Sequence, residues 1–188
     1  MKDETSPILD AALEVFGRYG YKRATMGDIA KAAGLSRQSL YARFAGKDDV
    51  YAAGLVLYAT RMTDALTAAW AGRTALSDQM NDLMTLGTVP SFEMLRAMPD
   101  AADILNAAET EAGQQAMTQV KALKVALFAD LLAPYEAALA GHGQTPASLA
   151  TFMETALHAM LITCTTRADL DAQFASLKAS VLALTDQT

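Results

Sequence analysis

Residues 25–47 read TMGDIAKAAGLSRQSLYARFAGK. Side chains able to read nucleobases crowd into the middle of this stretch: Ser36, Arg37, Gln38, Ser39 and Tyr41. The guanidinium fork of an arginine matches guanine, a glutamine amide matches adenine, and a serine hydroxyl meets several base edges. Tyr41 offers a phenol to the DNA backbone or a ring to a thymine methyl. Thr25 and Lys47 bracket the segment, a hydroxyl at a helix start and an ammonium, each suited to a phosphate. Taken singly, each of these residues also fits a solvated surface side chain. Taken as a set, they also fit a structural helical hairpin without DNA.

Reading DNA needs these groups held on a rigid frame. Thr25 is a good N-cap, and Asp28 three residues on completes a variant of the capping box. Met26, Ile29, Ala30 and Ala33 form the apolar face of a short helix, which Gly34 stops. Leu35 is apolar inside the turn and plugs the space between two helices. Ser36 caps a following helix from Arg37 to about Phe44, with Leu40 and Phe44 inward. Ala45-Gly46 breaks the chain again. Upstream, Leu9, Ala12, Leu13 and Phe16 make one stripe on a helix from Ser6 to Tyr19. Two capped helices joined by a tight glycine turn make a helix-turn-helix. The first helix braces the second, which lays its N-terminal residues in the major groove.

The chain has 188 residues, 52% of them hydrophobic and 39 of them alanine. Such a composition excludes a disordered chain and favours helix throughout. No segment alternates like a strand, so the fold class is all-α, with about nine helices. A long helix is expected from Lys47 to Trp70. Further helices are expected at about 75–87, 91–98 and 101–110, with start signals at Thr74, Ser91 and Asp100 after Pro99. Another spans about 113–140, bent or stopped near Pro134. The last two run over about 146–164, led by Thr145-Pro146, and 167–184, led by Thr166 and Asp169.

Net charge is −6 overall, which by itself argues against nucleic acid. Residues 1–47, however, hold eight cations and five anions, a net +3. The remainder holds seven cations and sixteen anions, a net −9. A basic head on an acidic body suggests two tasks in one chain. In the last two helices, Leu149, Met153, Ala156 and Met160, and then Leu170, Phe174, Leu177, Val181 and Leu184, follow three- and four-residue steps. That is the seam of helices crossing at shallow angles. Phe152, Leu157 and Leu161 give the first of the pair a second apolar face. A helix with two such faces needs two partners, which points to a homodimer through a four-helix bundle. Met153, Met160, Phe174, Leu177 and Val181 are the expected interface. Burial of both faces within one chain is the alternative.

Enzyme readings find no support. There is no Gly-rich phosphate loop, no Glu-x-x-His pair for a di-iron centre, and only two histidines. No cofactor or metal is expected. His158 lies four residues after Glu154, a spacing that fits a metal pair or a pH response, or more simply a helix hydrogen bond. The lone cysteine, Cys164, excludes an internal disulfide and reads as a packed core thiol. The first residues, MKDETSP, do not resemble a signal peptide, and no apolar run reaches the ~20 residues of a membrane span. A cytoplasmic protein with no membrane partner is therefore expected.

The segment Asp28-Ile29-Ala30-Lys31-Ala32-Ala33-Gly34, followed by Leu35-Ser36, Leu40-Tyr41, Phe44 and Lys47, resembles the signature of the TetR family of transcriptional regulators. The upstream stretch ILDAALEVFGRYGYKRATM resembles the family's first helix and link. The likeness covers about residues 6–55. Gly27 departs from it, since the family often has a larger residue there; glycine costs the bracing helix up to ~1 kcal/mol. The resemblance implies a DNA-binding domain over 1–47 and a helical effector-binding and dimerisation domain over 48–188. It implies a homodimer that binds a double-stranded operator and is released by a small-molecule effector. If so, the body holds a pocket, and adaptable apolar residues line it: Met62, Leu66, Trp70, Met84, Met98, Met117 and Phe128. Each of these also fits ordinary core. Two other functions remain open. One is a small-molecule or protein-binding module without DNA regulation; the other is a regulator activated by its ligand.

Overall fold

The computed structural model of the chain describes residues 5–97 and 110–187. The expected helix at 101–110 and Met98 lie outside them. Among the described residues the fold is all-α. Helices α1 (Ser6–Tyr19), α2 (Met26–Ala32), α3 (Arg37–Tyr41) and α4 (Lys47–Trp70) come first. Helix α5 (Leu76–Asp82) continues through a π turn (Leu83–Thr88) into α6 (Val89–Ala97). Helix α7 (Glu111–Leu132) passes through a 3-10 turn, Ala133–Tyr135, into α8 (Glu136–Gly141). Helices α9 (Pro146–Thr163) and α10 (Arg167–Leu184) complete the chain.

The chain divides into two compact units, Met1–Thr60 with Glu93–Val120, and Arg61–Phe92 with Lys121–Thr188. In the first, Ile8, Leu9, Ala12, Phe16, Ile29, Leu40 and Val50 belong to one buried core. Its aromatic corner is Phe16, Tyr21 and Tyr51, with ring centroids 5.2–5.8 Å apart. The α2–α3 turn is a Schellman motif: Leu35 N donates to Ala30 O at 2.8 Å and Gly34 N to Lys31 O at 3.2 Å. Gly34 has φ +67°, which a side chain would strain. Leu35 is half-buried and packs against the core, as a plug should.

In the second unit, Leu66, Met80, Leu83, Phe128, Leu132, Leu139, Met153 and Leu170 share one core. Three N-caps expected from the sequence form. Thr25, Thr145 and Thr166 each accept from the backbone three residues on, and each makes a reciprocal capping box. Other boundaries differ. Helix α3 ends at Tyr41 rather than Phe44. Ala75 rather than Thr74 caps α5, without a side-chain bond. Nor does the chain break before Ser91, because the π turn carries it onward. A π turn leaves carbonyls in poor register with the next donors. Here Thr88 Oγ1 donates to Leu83 O at 3.2 Å and Ser91 Oγ to Gly87 O at 2.7 Å, both buried.

The five residues expected at a subunit interface lie inside the chain. Met153 and Val181 are fully buried, and Met160, Phe174 and Leu177 are no more than 6% exposed. All five belong to the core of the second unit. The 3–4 spacing marks a real seam, but the chain fills it with its own helices. The large apolar side chains left outside on α9 are Phe152, 57% exposed, and Ile162, 45% exposed.

Candidate nucleic-acid interface

Helix α3 is short and held by its core face and its N-cap. Leu40 is fully buried and anchors it from below. Ser36 Oγ accepts from Ser39 N at 3.0 Å and lies 2.8 Å from Ser39 Oγ. These two serines therefore spend hydrogen-bonding capacity on the cap. Arg37, Gln38 and Tyr41 stand exposed on the same helix. Arg43, just past its end, is also exposed and reaches back to Ser39 O at 3.4 Å. The sequence places Arg43 within this helix; in the structure it lies just past the helix end.

Thr25 hydrogen-bonds Asp28 through its hydroxyl at 2.6 Å and its amide at 3.0 Å. These bonds hold the Asp28 carboxyl below its usual pKa, and the nearby charges of Arg37 and Lys31 add to the effect. Lys47, expected to reach a phosphate, is turned inward instead. Its Nζ donates to Tyr21 O at 2.9 Å and Lys22 O at 3.3 Å and lies 4.5 Å above the Tyr21 ring. Tyr21 in turn donates its hydroxyl to Asp48. Burial, then the Asp48 carboxylate, push the Tyr21 phenol well above its ordinary pKa. Burial alone takes the Tyr51 phenol to about 12. Both phenols therefore stay neutral, and this corner ties the start of α4 to the link between α1 and α2. Tyr21 and Lys47 are 26 residues apart, so no local pattern could have paired them.

In the second unit, Leu66, Trp70 and Phe128 are buried, and Met62 and Met84 pack against the same cluster. Trp70 donates its indole N–H to Gln79 O at 3.0 Å. Met117 falls in the first unit. Glu154 is 6% exposed, an unusual depth for a carboxylate. Lys124 and His158 share its surroundings. Burial lowers both their pKa values, and the charge of Glu154 partly restores them. Cys164 is a buried thiol in the same core. Among the described residues no group of three or more His, Cys, Asp or Glu side chains is placed to hold a metal ion. No described helix is long and apolar enough to cross a membrane.

A braced recognition helix with exposed arginine and glutamine side chains defines a helix-turn-helix regulator that binds DNA. Comparison with known proteins carries the assignment further. Residues 8–53 match the model described as bacterial regulatory proteins, tetR family. The chain is 25% identical over 175 residues to the uncharacterized HTH-type transcriptional regulator YezE of Bacillus subtilis, covering 89% of each chain. Over 44 residues it is 43% identical to the HTH-type transcriptional regulator AcrR of Shigella flexneri, covering 23% of this chain and 20% of that one. The N-terminal segment thus carries the tetR-family DNA-binding domain, and the chain is a DNA-binding transcriptional regulator. Its fold is also that of Escherichia coli NemR in the reduced form, with TM-score 0.70, 15% identity and coverage of 94% and 96%. A second neighbour is the regulator FadR of Bacillus subtilis, solved in complex with stearoyl-CoA. For that pair the TM-score is 0.66, with 17% identity and coverage of 98% and 100%.

Proposed function

We propose that the protein is a homodimeric repressor that binds a roughly palindromic operator and leaves it when a small apolar effector binds. The observation that carries the DNA half of this reading is α3 itself. Its inner side is locked by Leu40, and Arg37 and Gln38 stand free on its outer side. In this reading Arg37 and Gln38 contact base edges, Tyr41 contacts the backbone or a thymine methyl, and Thr25, Ser36 and Ser39 lie against phosphates. The DNA-reading domain is 1–47, and the remainder, 48–188, binds effector and dimerises.

The second copy meets the outer face of α9, where Phe152 and Ile162 are exposed. The small exposed residues of α10, including Ala172, Ala175 and Ala179, let its partner approach closely. An apolar effector suits the methionine-edged core around Leu66, Trp70 and Phe128, with Met62 and Met84 able to move aside. That the FadR neighbour takes a long acyl thioester supports an apolar ligand. A chain of this kind acts in the cytoplasm and performs no catalysis. Ligand binding shifts the population toward a spacing of the two heads that fits DNA poorly.

The test is a gel shift on the upstream intergenic DNA of the protein's own gene, at two salt concentrations, with random duplex as competitor. Retention that survives random competitor and weakens steeply with salt is expected. Binding no tighter than to random duplex, both there and on a pool of random sequences, would overturn the reading.

A further inference from the structure

Gly27 is the second residue of α2, and Arg37 is the first of α3. The guanidinium of Arg37 lies against Gly27 so closely that a Cβ built there would stand 2.6 Å from Nε and 2.7 Å from Cζ. The arginine occupies the space that any other residue at 27 would fill. Arg37 nonetheless makes no hydrogen bond and no ion pair within the described structure, so all five of its N–H donors are unspent. Its charge acts on the Asp28 carboxylate next along α2, which Thr25 holds in place. The fork is therefore seated by shape and steadied by a fixed negative charge, and still open to a ligand.

We propose that Gly27 is a specificity-determining position: by carrying no side chain it gives the Arg37 guanidinium its seat on α2, and so sets which base edge the fork meets. The inference rests on Arg37 being a base reader, as argued above. The physical basis is that bidentate pairing with guanine requires a planar fork at a fixed distance and tilt. A guanidinium lying on a helix backbone has fewer orientations than one on a free four-bond stem. The glycine costs α2 helix propensity, and nothing in the core requires it, since Gly27 is only half-buried. A side chain at 27 displaces only the tip of a flexible arginine. Substitution there moves Arg37 without breaking the fold.

The experiment compares Gly27→Ala, Gly27→Ser, Arg37→Ala and the double variant Gly27→Ala/Arg37→Ala. The probe is the duplex that the unaltered protein selects from a random pool, with each base pair then changed in turn. Melting temperatures establish that the variants are folded; Gly27→Ala is expected to melt no lower than the parent. Arg37→Ala should lose about 10-fold discrimination at one base pair per half-site. Gly27→Ala should lose discrimination at that same pair and no other, and Gly27→Ser should do likewise. In the Arg37→Ala background, Gly27→Ala should change nothing further. If Arg37→Ala loses discrimination while both Gly27 variants keep it, the seat is irrelevant and the proposal fails. If Arg37→Ala loses none at any pair, Arg37 is not a base reader, and both readings fall together.

Discussion

The Lys47 ammonium donates to the Tyr21 carbonyl at 2.9 Å while standing 4.5 Å above the same residue's ring. A lysine at a helix start in a DNA-binding head is readily taken for a phosphate contact. Here it ties the first turn of α4 to the link between α1 and α2. Lys47→Met keeps the alkyl stem and removes the ammonium. It should lower the stability of the N-terminal unit by about 1 kcal/mol, read as an earlier midpoint in urea. An unchanged midpoint, with a salt dependence of DNA binding lower by about one ion, would return Lys47 to the phosphate.

Gln38 and Leu40 sit two positions apart on α3, one exposed and one fully buried. Their substitutions should fail in different ways. Gln38→Ala should cost about 1–3 kcal/mol at one base pair and leave binding to random duplex unchanged. Leu40→Ala should cost about 2–5 kcal/mol of folding stability and remove all DNA binding together with the helical signal of the head. Equal losses for Gln38→Ala on operator and random duplex would remove its base-reading role.

Phe152 and Met153 are neighbours with opposite burial, 57% against 0% exposed. Phe152→Glu should convert dimer to monomer in sedimentation and leave the melting of each chain nearly unchanged at high dilution. Met153→Ala should destabilise the chain by about 2–5 kcal/mol and leave its association state intact while it remains folded. A monomeric parent protein would refute the assembly, and a dimeric Phe152→Glu variant would refute this face of it.

His158 carries a pH dependence whose sign is fixed by its surroundings. Burial lowers its pKa from 6.5, Glu154 opposes that, and Lys124 and Lys121 reinforce it. The folded state thus binds the proton less readily than the unfolded chain. Stability contributed here is present above pH 6.5 and falls as the medium is acidified below that value. The melting temperature should drop between pH 7 and pH 5, and His158→Gln should flatten that slope. Asp28 and Asp169, whose pKa values lie below 3.8 because Thr25 and Thr166 bond them, lose their contribution only at lower pH.

Much of the head was legible because its signals are local. Thr25 with Asp28, Gly34 with Leu35 and Ser36 with Ser39 act within one turn, and one turn is what a sequence window sees. The start at Lys47 and the end at Trp70 of the long helix were legible for the same reason. Two features were not. Ser91 reads as a helix start, but a π turn just ahead of it lets the helix run on. The seam through Met153 and Val181 is filled from within the chain, since spacing tells how a helix packs and not whose helix it meets. At the site, the types of Arg37 and Gln38 were visible. The seat of Arg37 on Gly27 and the inward turn of Lys47 were not, because both join residues in different helices or links.

The π turn at Leu83–Thr88 also changes what a deletion would do. Each residue advances a regular helix by about 100°, and the wider turn shifts the angular phase of all that follows. Thr85 is exposed and bonds only the helix's own carbonyls at Asn81 and Asp82, so its removal would delete no core contact. It would let the π turn close into an ordinary α pattern one residue shorter, with Val89 and Phe92 still facing the core. In this stretch the reading frame is forgiving: many substitutions at Thr85 should be silent, and so should a one-codon gap, whereas the same gap in the regular turns of α4 would rotate every later side chain by about 100°.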